Sequence, residues 1–256
     1  LFEKKIKDYT SAKHAIVCVN GTNALHIALK YSGVENDDEV ITQSISFVAT
    51  SNAILYCGAK PVFLDIDLNS LGLSYQALKD FLEKNTFQKN NYCYNRKTNK
   101  IIRACVPVHV FGHPLEIDRV VSLCHDHNIK VVEDAAESLG SLYKGKHMGT
   151  FGDIGVLSLN GNKIITAGGG GVILVKDDSI AKKIKHVLNQ AKESHSWEFF
   201  HKEIGYNYRM PNINAALALA QLEKLDSHVN SKRIIAKKYE DFFINLNVKF
   251  LSEPSN

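Results

Sequence analysis

AIVCVNGTNALHIALKYSG, residues 15–33, passes in one stretch from a β-rich apolar run to a helical pattern that Gly33 closes. The apolar run predicts a strand over 14–19, and the segment after it predicts a helix over 22–31. The alternation recurs, with further strands expected at 39–42, 61–65, 101–108, 130–133, 154–159 and 171–175 and helical segments between most of them. Short apolar strands separated by longer amphipathic segments describe an α/β protein, a mainly parallel seven-stranded sheet with helices on both faces. Ile180, Ile184, Val187 and Leu188 form a helical stripe with Asp178 as its cap candidate. Residues 212–245 read as one long, charge-laced helix with Ala215, Ala218, Leu219, Leu222 and Leu225 on one face. That helix divides the chain into a large domain, 1–211, and a segment, 212–256, that starts a smaller one. The polar stretch 84–100 reads as a surface excursion.

With 256 residues, 45% of them hydrophobic, the chain can bury a sizeable core. It opens at Leu1 inside a charged helical pattern and stops at Asn256 soon after a long helix, which reads as a piece of a longer polypeptide. The net charge of +4 is small and the basic residues are spread along helices, so a nucleic-acid partner is not expected. No apolar stretch reaches bilayer-spanning length and no charged-then-apolar leader occurs, so the expected location is the cytoplasm, without a membrane partner. Five cysteines, an odd number with no CxxC spacing, argue for reduced thiols and against a disulfide framework or a zinc knuckle. His125 and His127 flank Asp126 on a predicted helix, where residues two apart face different sides, so no metal site is expected there.

Four patches fall at the expected C-terminal ends of strands or just before the long helix. In open α/β sheets, ligands collect in the crevice beyond those strand ends. Asn20-Gly21-Thr22-Asn23 follows a strand and opens a helix, which frees backbone N–H groups and a hydroxyl for an anion such as a phosphate; an ordinary turn capped by Thr22 is the plainer reading. Val131 to Glu137, VVEDAAE, is a buried-looking strand ending in acids. A carboxylate there needs a cationic partner, which a pyridinium nitrogen would supply to Asp134; a helix cap or a magnesium ligand are the alternatives. Ser158 to Gly171 holds one lysine, Lys163, between apolar residues and a four-glycine run. A lysine so placed can lose its proton and form a Schiff base, whereas a plain loop is the bland reading, and neither GxGxxG nor P-loop spacing is met. GYNYRMP, residues 205–211, reads by itself as a helix-entry loop with no job inside its own sheet.

The ordered set GTNAL, ISFVATSNAI with GAKPVFLDID, PVHVFGHP, VVEDAAESLG, FGDIGVLSLNGNK with GGGG, and GYNYRMPNINAALALAQLEKLD resembles the DegT/StrS-type sugar aminotransferases, fold-type I enzymes dependent on pyridoxal 5'-phosphate (PLP). The likeness runs over residues 12–239. It implies that Lys163 is the lysine carrying the cofactor as an imine and Asp134 the partner of the ring nitrogen. It implies that Phe47 lies on the ring face, that Gly21, Thr22, the Asn23 backbone and Ser158 contact the phosphate, and that Asn207 reaches the phosphate of a neighbouring subunit in a homodimer. Glu137 stands where many members have Gln near the ring hydroxyl, a departure that changes what this side chain can donate. The NGNK and GGGG wording resembles the branch that aminates UDP- or GDP-linked 4-keto-6-deoxy hexoses. The implied chemistry is ping-pong transamination, with L-glutamate as amino donor and a nucleotide-linked keto-sugar as acceptor. Two rivals keep the same fold: a PLP-dependent sugar dehydratase, which replaces the lysine, usually by histidine, and a catalytically silent binding or regulatory protein. A nucleotide-binding oxidoreductase is disfavoured, because the first strand is not followed by GxGxxG.

Overall fold

The computed structural model describes residues 1–195 and 197–254. Along the chain run α1 (Phe2–Thr10), β1 (His14–Cys18), α2 (Gly21–Tyr31), β2 (Glu39–Gln43), α3 (Val48–Tyr56), β3 (Lys60–Leu64), α4 (Tyr75–Asn85), β4 (Thr86–Lys89), β5 (Tyr92–Asn95) and β6 (Ile101–Val106). They are followed by α5 (Ile117–Asp126), β7 (Lys130–Asp134), β8 (Leu142–Tyr143), β9 (Lys146–His147), β10 (Ile154–Ser158), β11 (Gly171–Val175), α6 (Asp178–Val187), α7 (Asn212–Leu222) and α8 (Leu225–Phe243). The seven strands expected from the apolar runs all form, and they lie in the order β1-β11-β10-β7-β6-β2-β3. From β10 to β3 each neighbouring pair is parallel, whereas β11 is antiparallel to both β1 and β10.

Strand periodicity explains how this sheet is covered. Val131 and Val132 are both buried but belong to different apolar clusters, as do Ala104 and Cys105, because successive side chains leave a strand on opposite faces. One cluster is sealed by α2, α3 and α6, the other by α1, α4, α5, α7 and the start of α8. The result is a three-layer α/β domain with strands buried on both faces.

Two expectations are corrected. The stretch 84–100 lies mostly at the surface, as expected, but it is also part of the sheet: it forms the β4–β5 hairpin, and β5 pairs with the start of β6, giving a nine-stranded sheet. Its polar composition hides buried Cys93 and Asn95, and Asn95 Nδ2 donates to the buried carboxylate of Glu39 at 2.7 Å. The single helix expected over 212–245 is two, α7 and α8, broken at Glu223 and Lys224 without Gly or Pro. The turn, with Lys224 at φ −110°, carries Leu225 into the core, where it is 1% exposed, so tertiary burial outweighs local helix propensity. The last two residues of 212–256 lie outside the described residues. At α6 the cap is Asp177, whose carboxylate accepts the Ile180 N–H at 2.7 Å, while Asp178 pairs with Lys13 and His14. No helix among the described residues is long and apolar enough to cross a membrane.

Candidate active site

Strand alternation sends the two acids that end β7 to opposite faces. Glu133 turns away from α2 and α3 and is wholly buried, accepting N–H bonds from Gly149 (2.9 Å), Phe151 (2.6 Å) and Gly152 (2.6 Å), with the His109 ring at 3.2 Å. Burial pulls its carboxyl upward, but the His109 contact and these N–H groups outweigh that and hold it below the usual carboxylate range. It is a staple that ties residues 149–152 to the sheet. Asp134, also buried, accepts from Thr50 Oγ1 at 2.6 Å and from the Ala136 N–H at 3.2 Å, yet no cation pairs with it among the described residues. Burial therefore wins and pushes its carboxyl up, against the hydrogen bonds and the fields of His109 and Lys163. A buried carboxylate with hydrogen bonds and no counter-ion fits a ligand that brings its own positive charge.

The second component is an anion cradle where β1, β10 and β11 meet α2. Because β11 runs antiparallel, its first residue, Gly171, pairs with the last residues of both neighbours, Cys18 and Ser158. A Cβ on Gly171 would collide with the Asn20 carbonyl, and one on Gly21 would come within 3.0 Å of Ser158 Cβ, so glycine is what lets the helix start close on the strand end. The N-cap of α2 is Asn20, not Thr22: Asn20 Oδ1 accepts the Asn23 N–H at 2.8 Å. The Asn23 N–H is thus committed to the cap, and Gly21 and Thr22 keep their first-turn N–H groups for a ligand beside the Ser158 hydroxyl.

Lys163 sits in the loop from β10 to β11. The apolar setting expected for it is corrected by a direct ion pair, Lys163 Nζ to Glu137 Oε1 at 3.1 Å. Glu137 Oε2 accepts the Phe111 N–H at 2.8 Å from the turn Val110–Gly112. Both residues line a cavity of about 770 Å³ closed on its far side by α8. Asn214 on α7 pins the glycine run through the Ala167 carbonyl at 2.6 Å.

Phe47 is the N-cap residue of α3 and is 74% exposed, a bare aromatic face at the helix whose first turn delivers Thr50 to Asp134. Asn207 is not gathered into this site: its side chain is exposed and bonded to nothing among the described residues. Residues 205–211 do have a job in their own sheet, contrary to expectation. The Val19 N–H donates to the Tyr208 carbonyl, Tyr206 and Tyr208 stack at 4.9 Å, and both meet the buried His26 of α2 edge-on. Sequence reasoning missed Thr50, although Phe47 and Thr50 stand three apart at a helix start, the spacing that puts two side chains on one side. It also missed Asn20 as cap and the Phe111 turn, for which the sequence carries only Gly112.

Comparison with known proteins bears on the family and the fold. The model of the DegT/DnrJ/EryC1/StrS aminotransferase family matches residues 1–255. GDP-perosamine synthase of Caulobacter vibrioides is 39% identical over 239 residues, which cover 93% of this chain and 60% of that protein. The crystal structure of a DegT DnrJ EryC1 StrS aminotransferase from Brucella abortus superposes with a TM-score of 0.89 at 28% identity, covering 99% of this chain and 65% of that one. NtdA from Bacillus subtilis, solved with bound cofactor PMP, gives 0.80 at 26% identity, covering 96% and 52%. The chain thus spans less than two thirds of the length of each of these relatives.

Proposed function

Since the chain belongs to the DegT/DnrJ/EryC1/StrS aminotransferase family, we propose that it is the cofactor-bearing part of a PLP-dependent aminotransferase acting on a nucleotide-linked keto-sugar. The observation that carries the reading is Asp134, a buried carboxylate lacking a counter-ion at the same sheet end as an amine and a glycine-lined anion cradle. These residues fit PLP, group for group. Asp134, oriented by Thr50, holds the ring nitrogen protonated; Gly21, Thr22 and Ser158 hold the phosphate; Phe47 covers a ring face. When bound, PLP supplies an aldehyde for linkage to an amine and a ring that accepts the electron pair of a cleaved C–H bond. Lys163 Nζ is the linking amine and, once displaced by the amino donor, the group that takes a proton from the substrate carbon and returns it. Asp134 would supply the negative charge for the ring nitrogen, and Gly21, Thr22 and Ser158, by holding the phosphate, would keep the group beside Lys163.

L-Glutamate as donor and a UDP- or GDP-linked 4-keto-6-deoxy hexose as acceptor are what the motif resemblance implies, and the likeness to GDP-perosamine synthase supports a nucleotide-linked sugar. A cytoplasmic setting suits five free cysteines, four of them buried. The test is full-length protein supplied with glutamate and each nucleotide-linked keto-sugar. Formation of 2-oxoglutarate together with an amino sugar is expected, and the absence of both with every acceptor would refute the reading.

The active unit is a homodimer in which Asn207 serves the partner's cofactor, since this exposed amide has no role beside its own Lys163. Mixing Lys163→Ala with Asn207→Ala protein then puts both lesions in one site of each mixed dimer and neither in the other. Activity should return to about half of a wild-type site pair per mixed dimer, as symmetry requires. Proven subunit exchange without any return of activity would assign Asn207 to its own subunit's site.

A further inference from the structure

We propose that Glu137 is the counter-ion that keeps a proton on the Lys163 nitrogen once that nitrogen is linked to the cofactor, and that it thereby sets the alkaline limit of the working range. The inference rests on the reading above, with Lys163 as the linking amine, and gives Glu137 a charge-based task that the neutral Gln of many relatives could not perform.

Glu137 is held at both oxygens: Oε1 accepts from Lys163 Nζ at 3.1 Å and Oε2 from the Phe111 N–H at 2.8 Å. The turn that supplies this N–H is bent for the purpose. Phe111 at φ 56° and Gly112 at φ 82° are consecutive left-handed residues, and a Cβ on Gly112 would stand 2.7 Å from the Glu137 carbonyl oxygen. A left-handed phenylalanine is strained, so a surrounding contact must hold it, and the Glu137 carboxylate accepting its N–H is such a contact. The Lys163 side chain is 14% exposed and that of Glu137 38%, so the contact is sheltered on the lysine side and open to water on the carboxylate side.

Other charges around the pair do not replace Glu137. Asp134, on β7, lies within the field of Lys163 but makes its hydrogen bonds to Thr50 and Ala136, and in the reading above its charge serves the ring nitrogen. Across the cavity, Arg233 of α8 is tied to Glu253 at 2.6 Å and Asp226 accepts from Tyr9 at 3.3 Å; Lys232 and His113 line the same space and add no negative charge. Among the described residues, Glu137 is the carboxylate in hydrogen-bond contact with Lys163. Linkage would turn the amine into a less basic imine nitrogen on the same side chain, the one that Glu137 Oε1 already meets at 3.1 Å. An opposite charge in hydrogen-bond contact favours the protonated form of the linked nitrogen, by an amount that the exposure of Glu137 reduces.

The experiment is an absorbance titration of cofactor-loaded, full-length protein from neutral to alkaline pH, with borohydride reduction and peptide mapping of the adduct. Glu137→Gln, which keeps shape and hydrogen bonding while removing charge, should lower the midpoint of the link's colour change by about 1–2 pH units, with Glu137→Asp in between. The kcat of Glu137→Gln should fall away at alkaline pH earlier than that of wild type. If the adduct maps to Lys163 and the midpoint does not move, Glu137 is not the counter-ion and only this inference is lost. If Glu137→Gln retains no cofactor, its role is holding and not charge, which also overturns the proposal. An adduct on another residue in wild type would instead remove the reading on which the inference stands.

Discussion

Lys163→Ala leaves the full-length protein without a borohydride-reducible cofactor adduct and lowers turnover on the order of 10⁴-fold or more, the scale on which removing the central group of a catalytic set acts. Among the described residues, Lys163 is the lysine lining the cavity at its Glu137 end, and Lys232, on the far wall, belongs to α8. Cofactor should still occupy the Gly21–Ser158 cradle through its phosphate, and equilibrium dialysis should detect weakened, non-covalent binding. Absorbance and mass spectrometry read the difference. A Lys163→Ala protein that kept a reducible adduct would move the linkage elsewhere and overturn the assignment.

Asp134→Asn separates function from stability more sharply than any other change. In the cofactor-free protein the Asp134 carboxyl is pushed up by burial. Its folded-state pKa therefore lies above the unfolded one, and the ionised form costs folding energy that is absent below the unfolded value and fully present above the folded value. Asparagine fits the same space, can still accept from Thr50, and removes that cost, so the melting temperature of cofactor-free protein should stay level or rise. Turnover should nevertheless drop by about 10³-fold, as when a preorganised electrostatic group is lost. Glu137→Gln should cost far less at neutral pH. Equal losses for Asp134→Asn and Glu137→Gln in the glutamate half-reaction would show that the two acids' roles are assigned wrongly.

The sheet was legible because its central strands are short apolar runs, and a run buried on both faces is conspicuous. Asp134 and Lys163 stood out for the same reason, as charges at the edges of such runs. What could not be read were choices settled by partners distant in sequence. Thr50 meets Asp134 across 84 residues and Glu137 meets Lys163 across 26. The helix break at Lys224 reflects a burial site for Leu225 and no breaker residue, while the β4–β5 hairpin depends on Glu39 waiting for Asn95. The Asn20 cap was obscured by Thr22, which also caps helices well, and only the hydrogen bond to Asn23 distinguishes them.

The antiparallel β11 has a consequence for how the chain is assembled in time. In the sheet β11 is the strand partner of β1, beside the single bridge of Cys18 to Arg209, and His14 must wait for Val175, 161 positions later, before it acquires a strand partner. At ribosomal elongation rates of about 5–20 residues per second, that wait is roughly 8–30 s. The parallel block from β3 through β10 can form meanwhile, since its strands are supplied in the interval. β1 therefore joins as an edge strand once β11 has emerged, and the phosphate cradle, which needs Asn20, Ser158 and Gly171 together, is completed only at that step. Until then the nascent chain carries a buried-type strand with both edges open, the interval in which it is most exposed to mispairing.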